Sequence, residues 1–274
     1  MKVVFSFFVN YNFERKHFRL LTPDFSNCSN IALMISEQNI LVLIPAVNEE
    51  QRIGEVINGV RQYLPQAKIL VVNDGSGDGT ARVSREAGAC VVSHPFNMGV
   101  GTALQTGYKY AVQNGFQYVI QLDADGQHPP AFLPAFVAKL KETEADLIIG
   151  SRFLQGRNHD VPFARGAGNA LFAKLVTLLI REKLTDPTSG YRALKSTALQ
   201  FCVQDTYGFD YPDADFLLTL HRSGYRIEEI PIDVLPRRGG HSQHGGLKPV
   251  YYTIKMFLSI FIILLRKKSV QKIP

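Results

Sequence analysis

Asp123 and Asp125 stand one residue apart at the head of the run Asp123-Ala124-Asp125-Gly126-Gln127-His128-Pro129-Pro130, directly after the apolar stretch Tyr118-Val119-Ile120-Gln121-Leu122. Paired carboxylates at such a place suit the holding of a divalent cation against a phosphorylated ligand. Mg²⁺ and Mn²⁺ take oxygen ligands, and Mg²⁺ is commonly held by few carboxylates together with substrate phosphates. Alternate residues of a strand share a face, and where the strand is ending both carboxylates can turn onto one ion. A lone D-x-D is far more often a polar turn. An EF-hand is excluded, because the twelfth position counted from Asp123 is Pro134, where a bidentate Glu is required. The metal reading gains its weight from the rest of the chain.

The elements that must position this pair follow a regular rhythm from Ile40 onward. Apolar runs predict strands at Ile40–Ile44, Ile69–Val72, Cys90–Ser93, Tyr118–Leu122 and Leu147–Gly150. Amphipathic stretches between them, Glu50–Tyr63, Asp78–Ala87, Gly101–Asn114 and Pro130–Glu142, predict helices. Strands alternating with helices imply an α/β fold with a mostly parallel central sheet flanked by helices. Ligands of such sheets bind beyond the carboxyl ends of the strands. Asn48-Glu49, Asn73-Asp74-Gly75-Ser76 and Asp123-Ala124-Asp125 each follow a strand directly, so all three are expected to meet at one edge.

The chain has 274 residues, 46% of them apolar, with a formal net charge of +6. That charge is compatible with nucleic acid, anionic lipid or anionic substrates and does not choose among them. Its location does: Arg237, Arg238, Lys248, Lys255, Arg266, Lys267, Lys268 and Lys272 accompany a strongly apolar C-terminal stretch, so a membrane surface is expected and nucleic acid is not. Cys28, Cys90 and Cys202 are odd in number and show no C-x-x-C pairing, which suits free thiols in a reducing cytosol. Residues 1–38 read as an N-terminal extension of little functional weight; Val3 to Val9 is too short and broken for a signal peptide. Residues 39–248 read as the catalytic domain and 249–274 as a membrane-associating helix.

Further motifs lie in order along the chain: Ile44-Pro45-Ala46-Val47-Asn48-Glu49, Val71-Val72-Asn73-Asp74-Gly75-Ser76, Asn97-Met98-Gly99-Val100-Gly101, Ile149-Gly150-Ser151-Arg152-Phe153, Asp186-Pro187-Thr188-Ser189-Gly190-Tyr191-Arg192, and Pro231-Ile232 followed by Arg237 and Gly239-Gly240-His241-Ser242. With the Asp123–Pro130 run, they resemble family 2 glycosyltransferases, above all the dolichyl- and polyprenyl-phosphate sugar synthases, over roughly Ile40 to Gly246. The resemblance implies a GT-A fold binding a nucleoside diphosphate sugar. It implies that Pro45 and Glu49 contact the nucleoside, that Val72 and Asp74 lie near the base, and that Ala124 lines the nucleotide site. Asp123, Asp125 and Gln127 would bind Mg²⁺ or Mn²⁺, with Asp123 and Asp125 at the catalytic centre. Arg152, Arg165 and Arg237 match positions that hold the acceptor phosphate, for which the planar guanidinium is suited. Asp213 and Asp215 lie where other members place a catalytic carboxylate, which matters for a hydroxyl acceptor and not for an ionised phosphate. Local readings stand beside these. Glu49 also suits a helix N-terminus, Asp74 also suits a cap for the helix near Asp78, and the prolines after His128 suit a rigid turn rather than a base.

The chain departs from the family pattern at Val47, Asn73, Val100 and Gln243, in the last two cases where a Lys is usual. Those losses bear on the lipid-phosphate acceptor and not on sugar transfer. No Q-x-x-R-W motif of processive synthases occurs, so transfer of one sugar is expected rather than polymerisation. The expected activity is metal-dependent, inverting transfer from a UDP- or GDP-linked sugar to polyprenyl phosphate at the cytoplasmic face of the cell membrane. The rivals are transfer to a hydroxyl of a lipid-linked glycan or cell-envelope precursor, and a catalytically silent membrane-associated binding module. The stretch Val250–Leu265, broken by Lys255 and followed by Arg266-Lys267-Lys268, suits a helix lying in the interface. A short span, a core helix or a docking surface for a small membrane-protein partner are its other readings.

Overall fold

The computed structural model describes residues 35–155, 163–204, 214–235 and 248–265, and of 163–169, 171 and 248–255 the backbone alone. The expectations for residues 1–34, Asp213, Arg237 and the Arg165 side chain lie outside this description.

One sheet carries the site. Its strands are β1 (Ile40–Ala46), β2 (Lys68–Asn73), β3 (Cys90–Ser93), β4 (Tyr118–Gln121), β5 (Leu147–Ser151), β6 (Arg192–Lys195) and β7 (Ile227–Pro231), in the spatial order β3-β2-β1-β4-β6-β5-β7. The first five fall within two residues of the apolar runs that predict them. The last two have no such run, being short and carrying Arg192, Lys195, Glu228 and Glu229. β1–β2, β1–β4, β2–β3 and β5–β7 pair parallel, whereas β6 runs antiparallel to both β4 and β5. The two reversals cancel. The carboxyl ends of β1 to β5 and β7 therefore share an edge with the amino end of β6, and the loop entering β6 arrives there too.

Strands β1, β2, β4 and β5 are buried on both faces, which is why they read as continuous apolar runs. Side chains alternate between the faces. Leu41, Leu43, Leu70, Val72, Val119, Leu147 and Ile149 pack on one side with α3 (Val100–Gln113), α5 (Phe163–Ile180), α6 (Ser196–Cys202), α7 (Ala214–Arg222) and α8 (Lys248–Leu265). Ile40, Val42, Ile44, Ile69, Val71, Ile120 and Ile148 pack on the other with α1 (Ile53–Tyr63) and α4 (Leu133–Glu142). α2 (Thr80–Glu86) lies beside β3 and α1. Close approach of α3 to β1 requires Gly107, since a Cβ there would run into the Leu43 side chain.

α8 is half of the core and half not. Met256 and Ile260 are buried, and the Phe257 ring meets Phe172 of α5 at 5.5 Å. Outward from these stand Leu258, Phe261 and Leu265, the last 69% exposed. Among the described residues, no helix is long and apolar enough to cross a membrane.

Candidate active site

The shared edge is laced together by side chains from segments remote in sequence. Asn48, just past β1, adopts a left-handed φ of 55°, which Asn tolerates better than most residues. In that conformation its N–H donates to Ser76 Oγ at 3.0 Å and its Oδ1 accepts the Gly77 N–H at 2.9 Å. The loops after β1 and β2 thus form one unit. Glu49 opens α1 through its carbonyl, which accepts from the Arg52 and Ile53 N–H groups, and its carboxylate pairs with Arg52 Nη1 at 2.6 Å.

Asp74 joins β2 to the loop between β3 and α3. Its carboxylate accepts from the Met98 N–H at 2.9 Å, the Gly99 N–H at 2.8 Å and His94 Nδ1 at 2.7 Å. An ionised carboxylate can only accept, so the His94 proton is on Nδ1, and Nε2 faces Thr106 Oγ1 at 2.9 Å. This corrects the reading of Asp74 as a cap for the helix near Asp78. That helix, α2, is held by Asp78 itself, which accepts from the Thr80 N–H at 3.0 Å and from Thr80 Oγ1. Burial works to raise the Asp78 pKa, but the hydrogen bonds from Thr80 and Glu50 outweigh it and hold the carboxyl below its ordinary value. Asp74 instead serves the start of α3. Gly75 is required beneath this loop, because its φ is +66° and a Cβ would run into the Phe96 backbone. Asn73 Oδ1 is a buried acceptor without a hydrogen-bond partner, while its Nδ2 donates to Ser93 Oγ at 3.2 Å. Val72 has its side chain wholly within the core, and Pro45 is partly exposed.

The Asp123 side chain, just past β4, is 47% exposed. The Asp125 carboxylate accepts from the Gln127 N–H at 3.0 Å across a turn in which Gly126 has φ +74°. Gln127 Nε2 donates to Leu235 O at 3.3 Å, and the Leu235 N–H donates back to Gln127 O at 2.9 Å, so the segment after β7 is tied to this turn. His128 is buried under it and packs on the Tyr191 ring at 5.0 Å. Its Nδ1 accepts from the Asp123 N–H at 3.2 Å. A nitrogen that accepts has no proton to offer the Asp123 carboxylate 3.5 Å away, so that contact is not an ion pair. His128 supports the turn, in keeping with the rigid-turn reading. Tyr191 lies beneath, its hydroxyl donating to Pro129 O at 3.3 Å; burial pushes its pKa well up, so it stays a donor. Ala124 is buried in the core.

The loop entering β6 closes on the same turn. A Cβ at Gly190 would lie 3.2 Å from Asp123 Oδ1, so glycine there leaves the carboxylate its room. Gln121 of β4 donates to Gly190 O at 2.9 Å and accepts from the Tyr108 hydroxyl of α3. Asp186, wholly buried, receives the Arg152 guanidinium in two parallel bonds, Nε to Oδ2 at 2.6 Å and Nη2 to Oδ1 at 2.7 Å. Nη2 also lies 3.0 Å from Thr188 Oγ1. Arg152 is therefore a fixed cation at the end of β5. Asp215 is elsewhere engaged: its Oδ2 accepts from Ser259 Oγ of α8 at 2.6 Å. Asn48 stands at the edge where its place after β1 puts it, whereas sequence reasoning missed His94, although it too lies just past a strand end.

The donors of the Asp123–Gln127 turn fit a hard divalent cation. Two partly exposed carboxylates and one amide leave coordination positions for water and a diphosphate, as Mg²⁺ and Mn²⁺ require. The electrostatics are divided: carboxylates at the β4 end, a buried-paired guanidinium at the β5 end.

The family model described as glycosyl transferase family 2 matches residues 41–201. The chain is 30% identical over 218 residues to undecaprenyl-phosphate mannosyltransferase of Micrococcus luteus, covering 76% of this chain and 88% of that protein. It is 29% identical over 219 residues to polyprenol monophosphomannose synthase of Mycolicibacterium smegmatis, covering 76% and 82%. Among solved structures it resembles glucosyl-3-phosphoglycerate synthase from Mycobacterium tuberculosis in complex with Mn²⁺, UDP and glucosyl-3-phosphoglycerate. There the TM-score is 0.60 at 21% identity, with 82% of this chain and 78% of that one covered, which carries the fold alone.

Proposed function

The chain belongs to glycosyl transferase family 2, with the GT-A fold and glycosyltransferase activity, and from that premise we propose that it moves one sugar from a nucleotide sugar to a polyprenyl phosphate. The observation that carries the acceptor is the likeness, over 76% of the chain, to transferases whose named acceptors are polyprenyl phosphates. The chemistry at the edge is compatible with it. A phosphate oxygen of the acceptor attacks the anomeric carbon, the bond to the nucleoside diphosphate breaks, and configuration inverts. The attacking oxygen is already ionised at neutral pH, so no general base is needed, and Asp215 is engaged with Ser259. Arg152, with Arg165 and Arg237, would hold the acceptor phosphate, and Pro45, Glu49 and Asp74 would hold the nucleoside. A divalent ion on Asp123, Asp125 and Gln127 would offset charge gathering on the departing diphosphate.

The test is an assay of UDP- and GDP-linked sugars with Mn²⁺ or Mg²⁺ against purified polyprenyl phosphate. The expected product is an acid-labile, lipid-extractable glycosyl phosphate. Sugar found only on hydroxyl acceptors, with polyprenyl phosphate inert, would overturn the acceptor assignment.

We place the enzyme on the cytoplasmic face of the membrane through α8 and the basic residues that follow it. An apolar helix face turned outward, followed in sequence by Arg266, Lys267 and Lys268, suits insertion among anionic headgroups. Because Met256 and Ile260 belong to the core, deleting α8 would damage the domain as well as its membrane contact. Surface substitutions separate the two. Reversing the charge of Arg266, Lys267 and Lys268 should weaken binding to anionic vesicles by about 1 kcal/mol per residue, less at high salt. Leu258→Ser with Phe261→Ser should weaken it at any salt. Vesicle flotation unchanged in both variants would favour a small membrane-protein partner on this face instead.

A further inference from the structure

Glu229, in the middle of edge strand β7, is a half-buried carboxylate that the sugar-transfer scheme leaves unused. It faces the Thr185–Asp186 corner, which lies 44 residues earlier in sequence. The Thr185 N–H donates to both its oxygens at 2.9 Å, the Asp186 N–H donates to Oε1 at 2.8 Å, and Thr185 Oγ1 donates to Oε2 at 2.7 Å. Since the Thr185 hydroxyl proton is spent on Glu229, the 2.6 Å contact between Ser151 Oγ and Thr185 Oγ1 must have Ser151 donating. Ser151 in turn accepts the Phe153 N–H at 3.1 Å. A polarised relay thus runs from the backbone on one side of Arg152, through Ser151 and Thr185, to Glu229. Asp186, whose own N–H ends on Glu229, grips Arg152 from the other side through its Nε and Nη2, and also accepts the Arg152 N–H at 3.1 Å.

We propose that Glu229 is a positioning residue: it fixes the Thr185–Asp186 corner so that Asp186 aims the Arg152 guanidinium at the acceptor. Holding a carboxylate here is costly, because burial works against its charge and Asp186 adds like-charge repulsion; both push its pKa above the ordinary value. An amide of the same shape could satisfy most of the same donors. Oε1 of a glutamine accepts both N–H groups, and the Thr185 hydroxyl rotates to accept from the amide nitrogen. The inference rests on the reading of Arg152 as an acceptor-phosphate ligand.

The experiment compares Glu229→Ala, Glu229→Gln, Arg152→Ala and the Arg152→Ala/Glu229→Ala double variant. Each is assayed for KM toward polyprenyl phosphate and toward the nucleotide sugar, with thermal midpoints recorded. Glu229→Ala should raise the acceptor KM on the order of tenfold, as expected when a binding group drifts by a fraction of an ångström. The nucleotide-sugar KM should hold within about twofold, since only acceptor binding is touched. Glu229→Gln should recover most of the acceptor affinity, and the double variant should be no worse than Arg152→Ala alone. An effect of Glu229→Ala that persists in full in the Arg152→Ala background would overturn the proposal, as would an equal rise in both KM values. If Arg152→Ala leaves the acceptor KM unchanged, the acceptor-phosphate reading itself fails. The double-variant comparison then still decides, on turnover, whether Glu229 acts through Arg152.

Discussion

Asp125→Asn should lower sugar transfer by a hundredfold or more while leaving the melting temperature nearly unchanged. The asparagine keeps an Oδ1 that can accept the Gln127 N–H, the bond that Asp125 makes across the turn at 3.0 Å. Its side chain is partly exposed, so the substitution opens no core cavity. What it removes is a negative charge from a two-carboxylate site. Loss of one group that stabilises developing charge typically costs on the order of 10²–10³ in turnover. Mn²⁺ titration offers a second readout, because a weakened ion site shifts the metal concentration needed for half activity upward. Turnover within a few-fold of the parent, together with indifference to a chelator, would remove the metal from the mechanism.

Asp186→Ala is the substitution with the largest expected effect on stability. Asp186 is wholly buried and is the bidentate partner of Arg152, whose side chain is 12% exposed. Removing the carboxylate takes the bidentate counter-charge from a guanidinium in a site that water hardly reaches. Breaking a buried pair in this way costs roughly 3–5 kcal/mol. For a chain of this size that is a fall in melting temperature of about 10 °C. The double substitution Arg152→Met/Asp186→Leu separates stability from function. Replacing both charges by apolar groups of similar volume should restore much of the melting temperature, since no charge is left unpaired. Transfer should stay low, because the cation proposed to hold the acceptor phosphate is gone. A double variant that regains both stability and transfer would show that Arg152 serves the fold alone.

Much of the fold is legible in the amino-acid sequence. β1 to β5 and the helices between them follow from local periodicity, since a strand buried on both faces must be apolar throughout and its covering helices must be amphipathic. Parallel connection through helices then brings the ends of β1, β2 and β4 to one edge, and Asp74 and Asp123 both lie at that edge. β6 and β7 left no such trace. Arg192-Ala193-Leu194-Lys195 pairs on both sides yet is too short to show a period, and Ile227-Glu228-Glu229-Ile230-Pro231 spends two of its positions on carboxylates.

The sequence by itself determined the order of the strands along the chain, the position of the Asp123-Ala124-Asp125 turn after β4, and the apolar character of α8. Each depends on neighbours within a few residues, where spacing alone sets which side chains share a face. Only the tertiary structure decided that β6 enters antiparallel, and this carries Asp186 to Arg152 across 34 residues of sequence and sets Gly190 against Asp123. Only it decided that Asp74 anchors α3 rather than α2, and that α8 keeps Met256 and Ile260 for the core while turning Leu258, Phe261 and Leu265 outward. The physical reason is the same in each case. A carboxylate's partner and a helix's buried side are fixed by which segments the sheet brings together, and side-chain chemistry offers many equivalent partners until the sheet order removes all but one.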